Sequence, residues 1–459
     1  MIRLCRSGRL YEIECWIRAG KSLRVSPEMK KTPLQVAVGT GFHSLVQLLA
    51  SNENEQAVKN RALLDAVRLR NREVIELLLE QGAQPCGIPF VEVLRSWDPL
   101  IMRRFLSHDI DVLTHSPFAM AFIERIRTSL RAFVDFKNAH PELAVGLQAQ
   151  IDTALRYFCQ EGDLKWVSLM MWAGADPRSL GARPYGPDDP ELYTTAMQEA
   201  CYAGAVEVFR RLKPAPQRDD FKELLSCAVT CLRTEMVEHL LNTGADPNDK
   251  ENGGSKAMDR CLWGIHLESF RPGHERGARS KYAAHKSLEI MRRLLAKGAR
   301  WEPDDSHALK AVRKTLLEFE VGLTLELLQL FVEHNGCRRE VLRNLLDSPR
   351  MRELLSDERW WISRLKLKDL VVDPRALRRK KLTPKVADIP KSLLARYNRG
   401  EIYEQVWTQP VHTMAKQYGL SDVGLAKICR KLLIPIPGRG YWAKKAAGKP
   451  VPKQPALPL

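Results

Sequence analysis

Apolar residues return along this chain in short helical bursts, two to a unit, with a turn between them. LCRSGRLYEIECWIRAG (4–20) comes back as TPLQVAVGTGFHSLVQLLAS (32–51) and again as ALLDAVRLRNREVIELLLEQGAQP (62–85). Each copy reads as a short helix, a turn often holding Gly, and a second helix rich in paired leucines. No such pair can bury its apolar side alone, so stacked neighbours must supply the core.

Later copies are recognised by their exits. Gly82-Ala83-Gln84-Pro85, Gly174-Ala175-Asp176-Pro177 and Gly244-Ala245-Asp246-Pro247 each follow a Leu- or Met-rich helix, as Gly298-Ala299 does with a different ending. A left-handed Gly ends the helix and the Pro prevents its resumption. FVEVLRSWDPLIMRRFLSHDIDV (90–112) keeps the two-helix rhythm without a Gly exit, whereas 117–148 reads as longer helices that leave the repeat. YTTAMQEACYAGAVEVFRRLK (193–213) and LLSCAVTCLRTEMVEHLLNTGADP (224–247) return to it. One copy is interrupted: after MDRCLWGIHL (258–267) a polar, basic stretch intervenes and the second helix is expected to resume at Ser287. An insertion of this kind is either a disordered loop or a mark of the binding face.

Thr32, Pro33, Leu34, then Ala37 and Gly41, resemble the opening of the ankyrin repeat, with Gln35 where that family usually has His. The resemblance covers roughly residues 1–335 and is carried by about half of them; a helical solenoid of another family is the alternative for the rest. It implies an all-α, ankyrin-like solenoid, partly degenerate, that holds a protein partner. Residues 336–372 read as a helical cap, in which Trp360 and Trp361 would close the open end of the stack. Residues 373–396, DPRALRRKKLTPKVADIPK and its flank, read as a basic linker, and 397–459 as a separate module.

Charge sharpens that division. The net +17 is not spread evenly: from Pro374 onward there are 18 Lys and Arg against four acids, leaving 54 basic and 51 acidic residues before it. A near-neutral body with a strongly basic end implies a body for protein and an end for a polyanion. Ten cysteines without a Cys-x-x-Cys pair predict lone thiols in a reducing cytosol rather than zinc. No stretch has the length of a signal peptide or a membrane span, so a cytoplasmic setting without membrane contact is expected.

Within the basic end, PVHTMAKQYGLSDVGLAKICRKLLIPIPGRGYWAKKAAGK (410–449) places two helical patterns around a Gly-centred turn. Met414 and Ala415 face one way, Gly419 permits the reversal, and Leu425, Ile428 and Leu432 form the second stripe. Ile402, Val406 and Trp407 on a preceding helix would pack beneath. This spacing resembles the helix-turn-helix family, with Ala415 under the crossing and Ser421 as N-cap. The resemblance implies duplex DNA as partner: Ser421, Asp422, Lys427 and Arg430 toward base edges, and Lys431, Arg439, Lys444, Lys445 and Lys449 on phosphates. Tyr441 and Trp442 stand among these cations, where aromatic faces either stack on nucleic acid or fold back onto the helices. Asp422 is the awkward member beside phosphates. Tyr403, Trp407 and the run Gly440-Tyr441-Trp442-Ala443-Lys444 also resemble a small C-terminal module of uncharacterised bacterial proteins.

No Gly-Lys-Ser/Thr loop, His-Glu-x-x-His helix or Gly-x-Ser-x-Gly elbow is present, so no enzyme and no cofactor or metal is expected. His266, His274 and His285 lack metal-ligand spacing. The expectation is an adaptor that binds a protein through its repeats and nucleic acid through its basic end. The alternatives are a protein scaffold whose module recognises an acidic partner, and a metal-dependent nuclease using Asp188-Asp189 or Asp304 with Lys310.

Overall fold

The computed structural model describes residues 1–24, 30–182, 193–250, 256–262, 278–301, 321–346, 386, 389–438 and 440–458. The chain divides into two compact units, Met1–Asp219 and Asp220–Leu459.

The first unit is built from helix pairs: α1 (Ile2–Arg6) with α2 (Leu10–Arg18), α3 (Pro33–Thr40) with α4 (His43–Ser51), and α5 (Gln56–Arg68) with α6 (Arg72–Glu80). Four further pairs follow: α7 (Phe90–Leu94) and α8 (Pro99–Leu106), α9 (Pro117–Ile123) and α10 (Ser129–Ala139), α11 (Ala144–Glu161) and α12 (Leu164–Trp172), α13 (Ala196–Ala203) and α14 (Val206–Arg211). The first helices stack on one another from α1 through α13 in one layer; in the other layer α2 and α6 flank α4, α8 packs on α10, and α12 on α14. The core lies between the layers, where Leu34, Leu45, Leu63, Leu78, Phe105 and Phe118 are fully buried.

Local chemistry explains where the pairs begin. Thr32 accepts the amide of Gln35 while the Gln35 side chain accepts the Thr32 amide, a reciprocal cap with Pro33 in the first helical turn. The amide end of Gln35 also donates to Asp65 Oδ2 at 3.0 Å, so the residue standing where the family has His ties its repeat to the next. Thr195 and Gln198 make the same cap at α13.

The turns inside the pairs share one feature. Gly8, Gly41, Arg70, Trp97, Arg125, Gly162 and Gly204 all have positive φ, each at the end of a first helix. The repeat therefore imposes a left-handed residue there whether or not Gly is available.

Two expectations change. Residues 117–139 do not leave the repeat but form an ordinary pair, α9 and α10, because Phe118, Phe122 and Phe133 cluster edge-on with centroids 5.0 and 5.3 Å apart and Phe90 joins them at 5.4 Å. The fold is mostly helical rather than all-α, since Gly181–Ala182 and Tyr193–Thr194 pair as two short antiparallel strands.

In the second unit α15 (Phe221–Thr230) pairs with α16 (Thr234–Thr243), again through a left-handed turn, at Leu232. A helix α17 (Ala278–Ala296) packs on α16 and on α18 (Val321–Glu333), and α19 (Arg339–Leu346) follows. α17 starts at Ala278, nine residues before the expected resumption at Ser287, so part of the insertion is helix. The exits at Gly82, Gly174, Gly244 and Gly298 are all left-handed. Asn248 links two of them, donating to Gly298 O at 3.1 Å and accepting the Arg300 amide at 2.8 Å.

The described C-terminal residues form α20 (Lys391–Arg396), α21 (Arg399–Thr408), α22 (Val411–Gln417), α23 (Asp422–Lys431) and α24 (Tyr441–Ala446). Asp188, Asp189, His266, His274, Asp304, Lys310, Trp360, Trp361, Arg439 and most of the 373–396 linker lie outside the described residues. No described helix is long and apolar enough to cross a membrane.

Candidate nucleic-acid interface

The basic end has a core of its own. Ile402, Val406 and Trp407 of α21, Met414 and Ala415 of α22, and Leu425, Cys429 and Leu432 in and just beyond α23 are buried together with Leu393 and Ile434. Gly419 takes φ 63 in the turn between α22 and α23, as its spacing predicts. Ile428 is a correction: it is only partly buried, and Cys429 occupies the position expected of it. The spacing 425, 429, 432 follows the helical repeat, which carries 428 toward the edge. Burial pushes the Cys429 thiol up to about 11, consistent with an unreactive packing residue.

α23 starts as read, with Ser421 Oγ accepting the Gly424 amide at 3.0 Å. Asp422 Oδ1 accepts the Val423 amide at 2.9 Å, and its charge sits at the positive end of the helix dipole. Both oxygens thus serve the helix start, which accounts for an acid in that place. Val423 is 57% exposed, and Lys427 and Arg430 are exposed farther along.

The aromatic pair separates. Tyr441 is 9% exposed and packs edge-on against Trp407 at 5.3 Å, so its ring belongs to the core and is not free to stack on a base. Trp442 is half-buried against the same core with its indole nitrogen buried and unpartnered, and Lys445 Nζ lies 5.0 Å over its ring. Of the two arrangements open for Trp442, folding back onto the helices is the one observed. Lys444, Lys445 and Lys449 are exposed and Lys431 is half-buried.

The electrostatics of the two ends of the chain differ in kind. In the first unit several arginines reach carboxylates of a neighbouring repeat: Arg68 on Glu92 at 2.9 Å, Arg72 on Asp98 at 2.7 Å, Arg104 on Glu76 at 2.9 Å, and Arg95 on Glu124 as well as on Glu92 of its own repeat. Among the described residues, no ion pair occurs beyond Glu326, so Lys416, Lys427, Arg430, Lys431, Lys444, Lys445, Lys449 and Lys453 have no carboxylate partner there. Eight cations without a carboxylate partner leave this small module strongly basic.

One cation is used differently. Arg399 Nε donates to Leu432 O, just past α23, and Nη2 to Pro458 O, both at 2.7 Å, while Tyr403 donates to Pro455 O at 2.6 Å. Desolvation alone lowers the Arg399 pKa. The sequence carries no signal for these contacts, since their acceptors are backbone carbonyls in a Pro-rich segment. Among the described residues no group of His, Cys, Asp and Glu could hold a metal ion.

Residues 2–87, the first three helix pairs, match the family described as ankyrin repeats (3 copies). The N-terminal part of the chain is an ankyrin-repeat array, and such repeats imply a protein partner. No curated protein matches the sequence. Among solved structures, the chain is similar to the ankyrin repeat domain of Bcl-3, a unique member of the IkappaB protein family, at 15% identity over 56% of this chain and 91% of that one, with a TM-score of 0.26. It is also similar to the human ASB11 ankyrin repeat domain at 13% identity, over 64% of this chain and 96% of that one, with a TM-score of 0.22.

Proposed function

We propose that the protein is an adaptor without catalytic activity, in which the ankyrin repeats hold a protein partner and the C-terminal module binds duplex DNA as a helix-turn-helix. The observation that carries this reading is the set of module cations that have no carboxylate partner among the described residues, where several arginines of the repeats have one. α22 and α23 would form the helix pair, with Val423, Lys427 and Arg430 toward the major groove. Lys431, Lys444, Lys445 and Lys449 would neutralise phosphates. Seven of the ten cysteines are buried, which fits packing residues in a reducing cytosol.

The test is the salt dependence of DNA binding by the full-length protein. Changing Lys427, Arg430, Lys444 and Lys445 together to Ala removes four phosphate or base contacts, and the slope of log affinity against log salt should fall by about 3–4. An unchanged slope, or no duplex binding at low salt, sinks the DNA reading. The burial of Tyr441, which removes an expected stacking surface, favours the second reading, a module that binds an acidic protein. Partners that stay bound after nuclease treatment would select it.

A further inference from the structure

The Pro-rich end of the C-terminal module is seated. Residues 450–458 make no backbone-to-backbone hydrogen bond among the described residues; they are held by the side chains of α21. Arg399 and Tyr403 lie one turn apart on the same face of that helix and donate to Pro458 O and Pro455 O. The two acceptors are three residues apart, the spacing of one polyproline II turn, and both carbonyls face α21. Val451 and Leu457, two such turns apart, pack against the module's core. The segment therefore runs antiparallel to α21, with carbonyls on the donors and every sixth residue in the apolar edge. These are the elements with which a folded domain recognises an extended Pro-rich ligand: aromatic and cationic donors to prolyl carbonyls, and pockets at the helical period.

We propose that the Arg399–Tyr403 face of α21 is a receptor for a polyproline-type peptide, filled in cis by residues 450–458, and that it accepts the same segment in trans from a second copy of this chain. The occupant is fixed by what the structure seats there. Exchange between copies preserves every contact, because the strap joins α24 through Gly448, left-handed at φ 65, and has no other backbone tie. Arg399 also donates to Leu432 O, so occupancy of the groove is coupled to the end of α23.

The experiment uses the chain ending at Gly448 and a fluorescein-labelled peptide of residues 449–459. Saturable binding is expected, at least about tenfold weaker for a scrambled peptide that breaks the six-residue apolar spacing, and about three- to tenfold weaker when the shortened chain carries Tyr403→Phe. If the shortened chain does not melt cooperatively, the full-length protein gives the answer through tryptic cleavage after Lys453. There Tyr403→Phe should speed cleavage about three- to tenfold by opening the strap, and an excess of free peptide carrying Lys453→Gln, which trypsin cannot cut there, should speed it too. A folded shortened chain that ignores the peptide or binds the scrambled one equally overturns the proposal, as does full-length cleavage that neither change accelerates.

Discussion

Gln150 Oε1 accepts the backbone amide of Phe118 at 2.9 Å, across a sequence separation close to one repeat. It also reaches the Ala119 amide at 3.4 Å, and its own amide donates to Val112 O at 2.8 Å. Ser116, the residue before α9, is left-handed and gives no side-chain cap, so a side chain from the next repeat supplies one. Gln150 and Phe118 are both buried, which leaves no water to substitute. Gln150→Leu should therefore destabilise the protein by about 2–3 kcal/mol, measured by urea unfolding, since it orphans buried donors rather than deleting an exposed contact. A cost within about 0.5 kcal/mol, the range of ordinary surface changes, would show that the helix start finds other acceptors.

Arg70 holds φ 57 in the turn between α5 and α6 and is exposed. A Cβ in that region costs about 1 kcal/mol, which Gly avoids. Arg70→Gly should raise stability by about 1 kcal/mol, and Arg70→Ala, which keeps the Cβ, should not. The pair of variants separates backbone strain from loss of the arginine's charge.

Acid should loosen the repeats through their inter-repeat carboxylates. Burial works against the charge on Glu92, but hydrogen bonds from Arg68 and Arg95 outweigh it and hold its pKa below the ordinary 4.5. Asp98, opposed by burial in the same way, is held below 3.8 by Arg72 and the amides at the start of α8. A lowered folded pKa means stability that is present above the unfolded value and lost as pH falls through the folded one. Melting temperature should hold above about pH 5 and fall as the solution drops below about pH 4. Arg68→Ala with Arg95→Ala should flatten that fall, because Glu92 then loses the contacts that lower its pKa.

Thiol labelling should read the packing directly. Cys15 and Cys86 are exposed and should react at neutral pH, whereas Cys429, buried and raised to about 11, should label only on unfolding. Early labelling of Cys429 would contradict a packed contact between α23 and the rest of the module.

These relationships mark what the sequence could reveal. The exits at Gly82, Gly174, Gly244 and Gly298 were legible because Gly is the usual carrier of a left-handed cap. The left-handed turns inside the pairs at Arg70, Trp97 and Leu232 were not, since packing of both helices into the stack imposes the conformation on residues that do not favour it. Residues 117–139 escaped recognition for a related reason, their start being capped by Gln150 instead of a local Ser or Thr. In the module the turn at Gly419 and the cap at Ser421 were readable, being local. The shift from Ile428 to Cys429 was not, because an apolar reading ranks Ile as the better core residue. Nor was the burial of Tyr441, whose partner Trp407 lies on another helix.

That burial separates two roles which the run Tyr441-Trp442-Ala443-Lys444-Lys445 places side by side. Tyr441 meets Trp407 edge-on inside the core, so Tyr441→Ala should cost about 3–5 kcal/mol, in the range of large aromatic truncations. Any nucleic-acid binding lost should track the unfolded fraction of the module and return on cooling. Lys444→Ala with Lys445→Ala removes exposed charge. It should move the melting temperature little while lowering the salt slope of binding by about 2. Lys445 lies over the Tyr441 and Trp442 rings at 5.9 and 5.0 Å, a contact that at exposed sites contributes about 0.5–1 kcal/mol. Melting and binding measured on the same variants therefore decide the matter. A Tyr441→Ala protein that stays folded yet loses binding would return that ring to the nucleic-acid surface, and a double-lysine variant with an unchanged slope would remove α24 from it.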